Sequence, residues 1–293
     1  MTPARLAFPA LVAGAALLAV GPWLVRLADV GPSAAAFWRL FLAVPVLWLL
    51  ARATGQRFGR PPASALLAIA AGAAFFATDL ALWHASIGLT KLANATLFGN
   101  ASTFAFAAYG FWAARAWPGP AQWAALLLAA LGSALLMGGS LQLSPESFRG
   151  DLLALAAGLL YTGYLVAIDR LRGSWAPLPL LTLASLFGAP LLLAAALAGG
   201  ERILTDNWTP LILLALSSQV LGQGLLVFAI GHVAPVVVGL VLLTQPLVAG
   251  AIGWVAYGER FTPGDWAGAA LLAAALVLVR LPRRALPTSD GAA

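Results

Sequence analysis

The sequence has no cysteine, only two histidines, and charged side chains at just 9% of its 293 positions. Without cysteine there is no disulfide, no thiolate metal site and no cysteine nucleophile. His84 and His232 stand far apart and never in a His-x-x-x-His spacing. An intramembrane enzyme would need a nucleophile–base pair or a metal cluster, and neither is visible. No cofactor or metal is therefore expected. No Gly-x-x-x-x-Gly-Lys-Ser/Thr loop occurs, which argues against ATP-driven pumping within this chain. The scarcity of charge excludes most: a soluble domain of this size needs far more polar surface.

What fills the sequence is apolar, 62% of all residues. A bilayer core is roughly 30 Å thick and is crossed by about 20 mostly apolar helical residues. Ten stretches meet that length: Phe8–Leu27, Ala34–Ala53, Ala63–Ser86, Leu92–Ala114, Gln122–Gly139, Leu152–Ile168, Pro177–Leu197, Thr209–Gly231, Val236–Tyr257 and Trp266–Leu281. Arg5 precedes the first as it would precede a signal peptide, but the apolar run is longer than a signal h-region and is read as a retained helix.

The ten stretches form two sets of five. Because five is odd, a second copy of a five-helix unit enters the membrane upside down. The fold class expected is an all-α integral membrane protein of ten transmembrane helices in two inverted five-helix repeats, the architecture of a secondary transporter. The boundaries are 1–140 for the first repeat, 141–150 for a linker, 151–282 for the second repeat and 283–293 for a disordered cytoplasmic tail.

The net charge of +6 is topogenic. With the N-terminus inside, ten basic residues fall on the inner segments: Arg5, Arg52, Arg57, Arg60, Arg115, Arg170, Arg172, Arg280, Arg283 and Arg284. Five fall outside, namely Arg26, Lys91, Arg149, Arg202 and Arg260, and Arg39 lies within a span. A basic excess marks the cytoplasmic side, so both termini are expected there, in the cytoplasmic (inner) membrane. A nucleic-acid partner is not expected. Trp48, Trp112, Trp117, Trp123, Trp175, Trp208, Trp254 and Trp266 lie near span ends, where an indole suits the headgroup level.

Weak self-similarity appears at an offset of 144: Gly14 meets Gly158, Ala85 meets Ala229 and Asn100 meets Thr244. In the last helices the offset is 143, aligning Pro120 with Pro263 and Trp123 with Trp266. The pattern resembles the drug/metabolite transporter superfamily, in particular its ten-helix EamA-type exporters. The residues that carry the resemblance are Pro32 followed by Arg39 early in span two, Arg26 ending span one, Thr244-Gln245-Pro246 in span nine, and Gly258-Glu259-Arg260 through Gly264 before span ten. The first half departs from the family pattern: Arg115 stands where an acid is expected after helix four, and Ser102 where a proline is expected. The resemblance implies export of a small molecule. Exporters of aromatic amino acids of the YddG type are one group within the superfamily.

A polar group in hydrocarbon is costly unless paired or facing water, so the few present mark candidate sites. Asp79 is the carboxylate well inside a span and Arg39 the base; both lie roughly 10 Å below one boundary, by about 1.5 Å per residue, and are placed to pair. Asp79 aligns with Gln223 and Phe75 with Gln219 at the repeat offset. Thr96, Asn100 and Thr103 share a helix face by their spacing. Substrate-binding candidates are Asp79, Trp83, Asn100, Tyr161, Tyr164, Gln219, Gln223, Thr244 and Gln245, with Arg39 structural and Pro246 a hinge. Trp83, Phe75, Phe98, Tyr161 and Tyr164 are the candidate aromatic wall. For Asp79 the alternatives are an ion pair with Arg39, substrate binding and proton coupling. Gly264-x-x-x-Gly268 permits close helix contact, within the chain or across a dimer seam. The expected protein is a monomeric carrier in the bilayer for small amphipathic metabolites, amino acids foremost. A multidrug or lipophilic-cation carrier and a channel are the alternatives.

Overall fold

The computed structural model describes residues 3–90, 92–137, 145–257 and 263–280. These residues are helical throughout, with no strand among them. The helices are α1 Pro3–Ala19, α2 Gly21–Leu27, α3 Pro32–Ala53, α4 Ala63–Leu89, α5 Leu92–Gly99, α6 Ala101–Ala113 and α7 Pro120–Met137. In the second half they are α8 Pro145–Arg172, α9 Pro177–Ala198, α10 Thr209–Leu214, a π-helical stretch Ala215–Gln223, α11 Gly224–Ile230, α12 Pro235–Leu242, α13 Gln245–Tyr257 and α14 Pro263–Arg280. Several begin on proline, whose missing N–H is no loss in a first turn and whose fixed φ suits it.

Among the described residues, six stretches are long and apolar enough to cross a membrane: Arg5–Leu27, Pro32–Ala53, Ala63–Leu89, Phe148–Arg172, Pro177–Ala198 and Thr209–Ile230. Spans four and nine, expected as continuous helices, are each broken in two. The first break falls at Asn100, where the Thr103 amide turns back to the Asn100 carbonyl and the Ser102 hydroxyl donates to the Gly99 carbonyl. The second falls at Leu243–Thr244. There the Thr244 amide and hydroxyl both donate to the Val241 carbonyl, and Pro246 has no N–H with which to continue the ladder. Span one breaks at Val20, ahead of Gly21-Pro22. Pro45 and Pro190 leave α3 and α9 unbroken. Residues 145–150, read from composition as part of a linker, belong to α8. The tail 283–293 and the Gly258-Glu259-Arg260 motif lie outside the described residues.

The helices pack in a definite set of pairs: α4 on α8, α3 on α9, α7 on α14, α6 on α12, and α1 on the π stretch with α11. The interior holds Leu11, Leu40, Leu47, Phe76, Tyr164, Leu180 and Leu226, while large apolar residues such as Leu67 and Val255 cover the outside. An apolar exterior suits lipid, which offers no hydrophobic drive to helix association, so close van der Waals fit has to supply it. Two glycines show how close that fit is. A Cβ on Gly14 would lie 2.9 Å from the Gly222 carbonyl oxygen, and one on Gly158 would lie 2.5 Å from that of Gly99. The Gly268 carbonyl faces Gly132 on α7, so the small face of α14 is used within the chain.

Loops tie the helix ends at two sites. At one, the connection after α9 grips the start of α3. Glu201 Oε2 accepts from the Ala34 amide at 2.9 Å, the Arg202 carbonyl from the Gly31 amide at 3.0 Å, and the Ile203 carbonyl from Trp38 Nε1 at 2.7 Å. Asp29 accepts from the Thr205 hydroxyl and the Asp206 amide and faces Arg202 at 3.4 Å. These hydrogen bonds, foremost that from Thr205, hold the Asp29 carboxyl below its ordinary value. At the other site the connection after α3 grips the start of α9, with Gln56 Oε1 accepting from the Leu178 amide at 3.0 Å. Nearby, Arg172 Nε donates to the Val227 carbonyl at 2.8 Å and its Nη1 to that of Trp175.

Candidate functional site

Between these helices lies a cavity of about 600 Å³ of unfilled space, counting its open mouth. Its wall combines Arg39 of α3 with Phe76, Asp79, Leu80 and Trp83 of α4. Thr96, Gly99, Asn100 and Ser102 come from the broken fourth span, and Leu242 and Gln245 from the broken ninth. Tyr161 of α8, Gln223 of the π stretch and Leu18 of α1 complete it. Both helix breaks therefore open onto the cavity. Irregular backbone at membrane depth is tolerated where it lines a cavity or is buried in protein, which accounts for their position.

Asp79 is 8% exposed and its carboxylate has no hydrogen-bond partner among the described residues. The expected ion pair with Arg39 is not made: no contact within 4.0 Å joins them, although both line the cavity. The guanidinium is held from elsewhere. Arg39 Nε donates to Gln219 Oε1 at 3.2 Å, and Gln219 Nε2 donates to Ser185 Oγ at 3.0 Å. The Arg39 cation also lies over the Phe76 ring at 5.9 Å. Burying a charge is costly, and keeping both an acid and a base at one cavity without direct neutralisation is a feature of sites rather than of packing.

Two cavity side chains are left incomplete. Asn100 begins α6 without using its side chain as a cap, and its Nδ2 finds no partner. Gln223 donates through Nε2 to the Tyr161 hydroxyl at 3.2 Å, while its Oε1 is unpaired. Buried polar groups are nearly always satisfied, so each exception asks for an explanation.

Of the residues expected from sequence, the cavity brings together Arg39, Asp79, Trp83, Asn100, Tyr161, Gln223 and Gln245. Three others sit apart. Gln219 is fully buried behind Arg39. Tyr164 is buried and stacked on Phe76 at 4.4 Å, its hydroxyl unpaired. Thr244 spends its hydroxyl on its own helix. Pro246 lies in the first turn of α13, its side chain outside the described set. Phe75 turns outward, 42% exposed, and Phe98 packs in a small cluster beside Trp83. Thr103 bonds the Gly239 carbonyl at 3.0 Å, a link between the two broken spans. His84 is buried, with Nδ1 3.0 Å from the Pro32 carbonyl oxygen. Phe76 was missed. Its signal was present, since it precedes Asp79 by three positions and so shares its helix face.

Long apolar helices around a polar cavity define a multi-pass membrane protein of transporter type. Residues 148–281 match the model of the EamA-like transporter family, so this part of the chain is similar to that family of the drug/metabolite transporter superfamily. The family is one of transporters rather than enzymes. No curated protein matches the chain. Twenty-nine chains among solved structures do. One, described only as a crystal structure of a protein, superposes with a TM-score of 0.77 at 16% identity, over 94% of this chain and 96% of that one. At such identity the likeness establishes the fold.

Proposed function

We propose that the chain is a ten-span secondary carrier built as two inverted five-helix repeats, in the cytoplasmic membrane with both termini inside. It exports small amphipathic metabolites, amino acids foremost and aromatic ones preferred, by alternating access. The pairing of helices supports the repeat. Exchanging span one with six, two with seven and so on maps α4 on α8 onto the contact of the eighth span with α1, and maps α3–α9, α6–α12 and α7–α14 onto themselves. The two breaks, at Asn100 and at Leu243–Thr244, fall at counterpart positions about 144 apart. Discontinuous helices in corresponding positions of two halves are a pointer to a transporter's binding site.

The observation that carries the reading is the cavity lined by Arg39 and Asp79 without a direct contact between them, together with Phe76, Trp83 and Tyr161. A lipophilic cation is the second reading, favoured by Asp79 lying among those rings. Counterflow in proteoliposomes tests both, using a panel of amino acids and quaternary cations at several imposed pH gradients. Saturable exchange of amino acids supports the first reading, and exchange of the cations alone supports the second. Single-channel currents without saturable flux would replace both with a channel.

A further inference from the structure

We infer that the cavity reads the two ends of a small zwitterion separately, the ammonium at Asp79 with Gln223 Oε1 and the carboxylate at Arg39 with Asn100 Nδ2. The inference rests on the carrier reading above and deepens it from a class of metabolite to a charge pattern.

The fold leaves several polar atoms at the cavity unused. Two groups are acceptors, the unpartnered Asp79 carboxylate and the orphaned Oε1 of Gln223. These two residues are repeat counterparts, 144 positions apart. Two are donors, the orphaned Nδ2 of Asn100 and the Nη groups of Arg39, whose guanidinium is held through Nε. Gln245 adds an amide that serves either polarity. Each charged group thus has a neutral orphan of its own polarity lining the same cavity. An ammonium carries donors only and a carboxylate accepts only, so a zwitterion completes both sets at once.

The geometry also excludes what carries one charge. An amine would satisfy Asp79 and leave the donors dry and unpaired; a carboxylic acid would do the reverse. An unmatched buried group forfeits its hydration without return, which is how a site built for hydrogen bonds rejects an analogue that lacks one of them. Gln219 is a positioning residue here. Pinned to Ser185, it fixes the plane of the Arg39 guanidinium and does not itself line the cavity.

The test uses unmodified protein first. Proteoliposomes are assayed for counterflow of L-phenylalanine and L-threonine. Phenethylamine and 3-phenylpropionate, each keeping the ring and losing one charge, are then added as competitors and as substrates. The zwitterions should compete at concentrations at least roughly tenfold lower than either analogue. Two variants with wild-type melting and elution then separate the ends. Asp79→Asn should weaken the zwitterions roughly tenfold or more and improve 3-phenylpropionate relative to them. Asn100→Asp should do the opposite, improving phenethylamine and weakening the acid. Amine or acid exchanging as well as the zwitterion overturns the inference while the carrier stands, as does an Asp79→Asn effect equal on all three compounds. Exchange of no compound overturns both.

Discussion

Two long helical stretches, α4 and Thr209–Ile230, both contribute to the cavity and are put to different uses. α4 is an unbroken α-helix of 27 residues, and its polar residue, Asp79, faces the cavity unpartnered. Thr209–Ile230 is interrupted by nine π-helical residues, and its glutamines each bond a neighbouring side chain, with Gln223 Oε1 left unpaired. Gln219 links Arg39 to Ser185, and Gln223 holds Tyr161. One helix presents a charge and the other holds side chains of its neighbours in place. π-Helical turns recur at functional sites because they re-aim side chains that a regular helix would point elsewhere. The comparison teaches that two helices lining one cavity can divide the work, one exposing a charge and the other arranging its neighbours.

Removing the link between α3 and the eighth span should break this arrangement most. Arg39→Ala leaves Gln219 Oε1 without its donor and Asp79 without a nearby cation; a loss of about 2–4 kcal/mol in folding stability is expected. Melting in detergent checks it. In a double-mutant cycle, Arg39→Ala and Gln219→Ala should couple by about 1 kcal/mol or more, and strict additivity would mean that the link carries no energy.

The next effect compares the helices that press on these two regions. Gly14→Val forces a side chain against the Gly222 carbonyl, and Gly158→Val forces one against the Gly99 carbonyl. Each should cost about 1–3 kcal/mol as backbones are pushed apart. Gly158→Val should also reduce transport more, because Gly99 lines the cavity; equal transport in the two variants would contradict that.

A smaller effect separates the two end contacts of α3 and α9. Glu201→Ala removes a charged acceptor from the Ala34 amide and Gln56→Ala a neutral one from the Leu178 amide. Losses of about 1 kcal/mol and about 0.5 kcal/mol are expected in that order, since charge-assisted bonds are roughly twice as strong. The reverse order of melting temperatures would count against it.

Acid acting through Asp29 should have the smallest effect. The Asp29 carboxyl is held below its ordinary value of 3.8, so on acidification the unfolded chain takes up the proton first. Its stabilising contribution is full above the unfolded value and is lost as pH falls through the folded one. Melting curves should show that decline below about pH 4, and Asp29→Asn should flatten it.

Much of this was readable beforehand, for reasons that concern single side chains. Asp79 and Arg39 stood out because a charge in an apolar run is costly wherever it ends up. Asp79, Asn100 and Gln223 were found through cost and repeat offset, and all three line the cavity. Tyr164, read as part of an aromatic wall, and Gln219, read from the repeat offset and helix spacing, instead face a packed interior. Spacing fixes which residues share a face; it does not say what that face meets. The pairing of Arg39 with Asp79 was inferred from equal depth, and depth leaves direction free. The break at Leu243–Thr244 lies beside Pro246, read from sequence as a hinge, whereas the break at Asn100 escaped notice because no proline marks it.

By itself the sequence determined a membrane-spanning helical chain, its candidate spans and the few polar residues that mark a site, because the transfer of polar groups into hydrocarbon dominates every other local term. The tertiary structure alone decided which of those groups meet: that Arg39 turns to Gln219, that Asp79 and Asn100 reach a common cavity, and that a stretch of the eighth span winds as a π-helix. Those outcomes depend on contacts between residues more than a hundred positions apart, and no local preference encodes them.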